Sequence, residues 1–108
     1  MAMPVYAYTY NSNALYCGNS TMTAAQICAD CTNAINNVTY NTTYLNVSIS
    51  NYDLATSCIT NPENFSNVIF DCQGYTIDGN DNKQNYAIYL LSKTNNTIKN
   101  CVVTDFYD

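Results

Sequence analysis

The 108-residue chain has no tryptophan and no histidine, and Lys83, Lys93 and Lys99 are its only cations, set against eight carboxylates for a net charge of −5. Phosphate backbones are held by clustered Lys and Arg, so this balance argues against nucleic acid and against an anionic membrane surface. Without histidine, zinc and copper lose their commonest ligand. Methionine does not replace it, because Met1, Met3 and Met22 lie outside the repeats described below. No apolar run nears the ~20 residues that span a bilayer. A full secretory leader is also missing. Val5-Tyr6-Ala7 faintly resembles the small-x-small end of one, which reads as a mature or re-engineered start. Between Asn19 and Asn61 there is neither Gly nor Pro, so turns there fall to Asn and Asp.

Charged residues make up 10% of the chain, against roughly 25% in an average soluble protein. Eighteen Asn, thirteen Thr and eleven Tyr must wet the surface instead. A hydrophobic content of 47% excludes a disordered chain. The length suits a single domain, 1–108, in three stretches: 1–19, 20–53 and 54–108. Six cysteines, Cys17, Cys28, Cys31, Cys58, Cys72 and Cys101, read as a disulfide framework and an oxidising compartment. Acceptor sequons at Asn19, Asn37, Asn41, Asn46, Asn64 and Asn95 point the same way, to a glycoprotein at an extracellular or cell-surface address. A chain this rich in Asn and Thr also generates sequons by chance.

Residues 4–10 alternate, with Tyr6, Tyr8 and Tyr10 on one face, which predicts a strand ending at a turn over Asn11-Ser12-Asn13. Residues 20–37 predict a helix. Thr23 and Gln26 fit a capping box, and Ala24, Ile27, Cys28, Cys31, Ala34 and Ile35 form one apolar stripe. From residue 38 the pattern turns to short strands. Shifting the chain by 29 positions lays Ile59 on Ile88, Asn67 on Asn96, Ile69 on Ile98, Cys72 on Cys101 and Ile77 on Phe106. A fixed period of this size is the mark of stacked coils, which bury together an inward face that none can bury alone. Asp71, falling on Asn100, suits a corner ladder of polar side chains.

The segments Phe70-Asp-Cys-Gln-Gly-Tyr-Thr-Ile-Asp-Gly79, Tyr86-Ala-Ile-Tyr-Leu90 and Asn96-Thr-Ile-Lys-Asn-Cys101 resemble the right-handed parallel β-helix repeat of secreted archaeal and bacterial surface and carbohydrate-associated proteins. The resemblance covers about residues 54–108. It implies an all-β solenoid, with the helix of the first half as its N-terminal cap. Many chemistries share that scaffold, so it carries little about function. Cys72 and Cys101 share a repeat position and should lie about 4.8 Å apart, within reach of a disulfide. Cys17 is then a natural partner for Cys28 or Cys31, and Cys58 would tie the first coil to the helix. Two coils are few for a solenoid. The last would expose a strand edge, to be covered by another subunit or by further coils of a longer protein.

Several constellations invite a chemical reading. Cys28-Ala-Asp-Cys31 could be a redox or metal motif, but residue 32 is Thr where haem attachment needs His, and a βαβ context is missing, so structural disulfides are favoured. Asp71 and Asp105 could serve as paired carboxylates of a sugar hydrolase, yet the corner ladder explains Asp71 more simply. The loop from Asp78 to Asn82 alternates oxygen ligands as calcium loops do, with a solvated turn as the simpler reading. The tyrosines offer stacking platforms for sugars or neighbouring subunits.

The sequence therefore predicts a tyrosine-rich structural protein rather than an enzyme, with no cofactor. It would be a subunit of an extracellular filament, assembling by self-association of its N-terminal strand with an open C-terminal coil, with glycans as further partners. The alternative is the N-terminal part of a larger carbohydrate-binding or carbohydrate-cleaving β-helix.

Overall fold

A computed structural model describes residues 9–11, 14–37, 41–81 and 85–106. It is mainly β, with parallel sheets and one helix. The elements are β1 (Thr9–Asn11), β2 (Ala14–Cys17), α1 (Ala24–Ile35), β3 (Thr42–Leu45), β4 (Ile49–Tyr52), β5 (Ile59–Thr60), β6 (Ile69–Asp71), β7 (Thr76–Gly79), β8 (Ile88–Tyr89), β9 (Thr97–Lys99) and β10 (Val102–Thr104). The strands are rich in Thr, Ile, Val and Tyr, whose branched or aromatic side chains fit a pleated, half-buried surface.

Three sheets result. The first runs β1-β2-β3-β6-β9, the second β10-β7-β4 and the third β5-β8. Every pairing is parallel except β1 with β2. Successive passes of the chain thus add one strand to each sheet, and the rows of paired residues run through the core. Leu15, Thr43, Phe70 and Ile98 form one row, Ile49, Ile77 and Val103 a second, and Ile59 and Ile88 a third. Phe65 and Phe70 are its largest fully buried side chains.

Helix α1 begins as its sequence dictates. Thr23 accepts from the Gln26 N–H, and the Gln26 side chain accepts from the Thr23 N–H, closing the capping box. The helix packs against β2 and β3 of the first sheet, β4 of the second and β5 of the third. Ile27, Cys28, Cys31, Ala34 and Ile35 form its buried stripe. Asp30 is also buried, and its Oδ2 accepts the Gly18 N–H at 2.8 Å. Gly18 itself sits at φ 87°, with Ile27 and Val47 methyl carbons 3.0 Å from where a Cβ would lie. The backbone conformation strains any side chain there, and the space for one is tight.

Three expectations shift. The helix is shorter than residues 20–37, because Thr23 and Asn36 take up the two capping positions. Asn11 belongs to β1, opposite Ala14, rather than to the turn. The 29-residue offset holds for Ile59 with Ile88 but gives way elsewhere to local ones. Ile69 pairs with Thr97 and Ile77 with Val103, not with Ile98 and Phe106. The cause lies at the corners. Asn100, at φ 60°, adds a residue between β9 and Cys101, and the corner from Cys101 to β10 is then shorter than that from Cys72 to β7. Strand rows hold their inward side chains in line while corner lengths vary.

Phe70 is fully buried in the longest row. Phe70→Ala is expected to lower unfolding free energy by about 3–5 kcal/mol, read from urea denaturation of the oxidised protein.

Candidate assembly edge

Strands β8, β9 and β10 come from the last described pass, and each is a terminal strand of its sheet. Along the first two core rows burial collapses on reaching them, whereas Ile88 in the third stays half-buried. Leu15, Thr43 and Phe70 are at most 1% exposed, whereas Ile98 of the same row is 40% exposed. Ile49 and Ile77 are fully buried, whereas Val103 is 51% exposed. Val102, Tyr86, Tyr89 and Leu91 are exposed in the same pass, and the Tyr86 and Tyr89 rings stack with centroids 6.1 Å apart. At the other end α1 lies over β4 and β5, while β1 borders the first sheet. The described residues therefore present one covered end and one open end where three strand edges meet apolar side chains. Such edges are templates for further strands.

The corners between strands are built from side-chain hydrogen bonds linking one pass to the next. Asp71 Oδ1 accepts from Asn100 Nδ2 at 3.0 Å and from the Gln73 N–H at 2.8 Å. Asn67 Oδ1 accepts from Asn95 Nδ2 at 2.7 Å. Gln73 Nε2 donates to the Leu45 carbonyl, and Asn61 Oδ1 accepts the Leu91 N–H. Ser48, Ser57 and Ser66 hydroxyls accept the N–H groups of Thr76, Tyr86 and Thr94. Apart from the local Asp71–Gln73 bond, these partners lie 28 to 30 residues apart. Asn51, Asn61, Asn67, Asn95 and Asn100 adopt positive φ, a conformation Asn tolerates better than most residues.

The six cysteines form three disulfides: Cys17–Cys31, Cys28–Cys58 and Cys72–Cys101, with Cα separations of 5.0, 5.0 and 4.8 Å. The C-x-x-C pair is thus split between two partners. One bridge ties α1 to β2, the second ties it to the segment entering β5, and the third joins the last two passes. Three disulfides fit an oxidising environment.

Asp105 does not approach Asp71. It meets Asp78 instead. The Thr104 hydroxyl and the Asn51 N–H donate to Asp78, and these bonds, with one from Asp105, hold its carboxyl below the ordinary range. The hydrogen bond to Asp78, with burial and the charges of Asp78 and Asp81, pushes Asp105 up. Among the described residues no group of three or more His, Cys, Asp or Glu side chains is placed to hold a metal ion. The candidate calcium loop reaches Asn82, which lies outside the described residues, as do Tyr6 and Tyr8. Tyr10 falls in β1, opposite Leu15. Of the sequon asparagines, Asn41, Asn46, Asn64 and Asn95 are exposed, and Asn19 and Asn37 are half-buried. No described helix is long and apolar enough to cross a membrane.

Tyr16 and Tyr44, paired in register between β2 and β3, stack with centroids 5.1 Å apart. Sequence reading missed this pair, though its spacing nearly matches the offset of the second half. The parallel stacking therefore begins before residue 54.

Replacing Cys72 and Cys101 together by Ser is expected to cost about 2–4 kcal/mol of stability. Hydrogen exchange should quicken chiefly in β9 and β10; uniform acceleration would refute a local tie. A second test concerns pH. Asp105 binds its proton more readily folded than unfolded, so its contribution is present at low pH and is lost as pH rises through its elevated value. Asp78 acts oppositely, and its contribution is lost as pH falls through its lowered value. Asp105→Asn should remove the loss on the alkaline side of the ordinary carboxylate range, visible as a flatter dependence of melting temperature on pH there.

No family model, curated protein or solved structure matches the chain.

Proposed function

We propose that the chain is a structural subunit of an extracellular filament or cell-surface assembly, built as a parallel β-solenoid and joined head-to-tail by β-strand addition. The observation that carries this reading is the open end, where Ile98, Val102, Val103 and Tyr89 stand exposed on terminal strands. Covering that end with another backbone would satisfy its strand edges and continue the core rows. The Tyr-rich stretch 4–10 supplies the candidate donor. Its described end belongs to β1, on the opposite border of the sheet that ends in β9. A contact between opposite ends of identical copies does not close on itself, so it propagates as a fibre. The disulfides and the polar, weakly charged surface suit an exposed, oxidising setting.

A second reading keeps the same edge but covers it with further passes of a longer carbohydrate-binding or carbohydrate-cleaving chain. The regular corner bonds from one pass to the next favour it, since another pass could repeat them.

Electron microscopy of the purified, non-reduced chain at neutral pH is expected to show regular filaments. Removing residues 1–10 should abolish them, as should Ile98→Asp with Val103→Asp, with circular dichroism unchanged. Dispersed monomers at high concentration would overturn the filament reading in favour of the longer chain, and filaments that survive the deletion would overturn the donor strand.

A further inference from the structure

The sequons are not equivalent once folded. At Asn64 the Nδ2 donates to the Asn36 carbonyl at 2.9 Å, while Asn36 Oδ1 accepts the Asn64 N–H, fastening the helix C-terminus to the loop before β6. At Asn95 the Nδ2 donates to Asn67 Oδ1 of the preceding pass. In both cases the nitrogen that would carry a sugar is bound to a neighbouring segment. The Asn41 sequon places its hydroxyl residue, Thr43, inside the core at 1% exposure. The Asn46 sequon uses Ser48, whose hydroxyl is half-buried and accepts the Thr76 N–H.

Asn19-Ser20-Thr21 differs. Ser20 and Thr21 are exposed. The Thr21 hydroxyl donates to Asn19 Oδ1 at 2.6 Å, and the Thr21 N–H reaches the same oxygen at 2.9 Å. The sequon hydroxyl therefore already rests on the amide it must assist, and the contacts use the oxygen rather than the nitrogen. The loop is held on both sides, by the Cys17–Cys31 disulfide before it and by the Thr23 cap after it. It lies beside α1, and β2, which leads into it, is separated from β9 by β3 and β6.

We infer that, among the sequons whose three residues are all described, Asn19 is the N-glycosylation site of the folded chain, whereas the amides of Asn64 and Asn95 are structural. In the reaction Asn19 Nδ2 forms a bond to the anomeric carbon of a sugar carried on a lipid pyrophosphate. The bond from that carbon to the pyrophosphate oxygen breaks, its electron pair leaves with the pyrophosphate, and the amide proton passes to a base of the transferase.

The test uses the full-length, disulfide-intact chain with a purified oligosaccharyltransferase and a lipid-pyrophosphate-linked oligosaccharide, followed by peptide mapping. The folded chain should be modified at Asn19 several-fold more than at Asn64 or Asn95, and reduction and unfolding should even out the sites. Thr21→Ala should abolish modification at Asn19, and Thr21→Ser should restore it, with unchanged circular dichroism in both. Modification of the folded chain at Asn64 or Asn95 as readily as at Asn19, or none at Asn19, would overturn the inference.

Discussion

Parallel pairing between segments nearly thirty residues apart is the interaction on which the rest of the structure depends. A strand of two to four residues has no stability of its own, and here most strands are that short. Each is held because a neighbouring strand presents an inward side chain at the same level of the row. Leu15, Thr43 and Phe70 illustrate the rule, stacking in one buried row. Since parallel partners need a long connection, the chain must travel around the core between them. The polar corners along that path are then as much a part of the fold as the rows.

Those corners explain the composition. Turns at positive φ without glycine call for Asn or Asp, and a buried or half-buried turn leaves backbone groups that need partners. Asn, Ser and Gln side chains reach the neighbouring pass and satisfy them, as Asn61 does for Leu91 and Ser57 for Tyr86. No buried side-chain nitrogen or oxygen among the described residues lacks a hydrogen bond. Amides and hydroxyls do locally what charges do on other surfaces. The same economy explains why few asparagines are spare, and why the Asn64 and Asn95 amides are tied to neighbouring segments.

Rows built in this way have ends. Helix α1 closes one, with its apolar stripe against strands of all three sheets and two disulfides fastening it. At the other, Ile98 and Val103 continue rows whose earlier members are fully buried, so they stand where a further strand would be stabilised. The proposed assembly follows from that asymmetry.

Local chemistry was legible in the sequence. The Thr23–Gln26 capping box, the helical stripe, and the equivalence of Cys72 with Cys101 depend on neighbours along the chain or on a simple repeat. The first half hid its part in the stacking, because β2 and β3 share only the spacing of Tyr16 and Tyr44 with the later repeat. Corner lengths were also hidden, since an inserted Asn100 leaves the inward pattern intact while shifting every later residue. The sequence by itself determined the helix, the strand-forming segments and the residues available for turns and bridges, all of them short-range choices. Only the tertiary structure decided the row partners, the division of Cys28 and Cys31 between Cys58 and Cys17, the Asp78–Asp105 pair and the sorting of the sequons. Each of those depends on which segments pack side by side, and that is set by burial of the whole core rather than by any stretch of it.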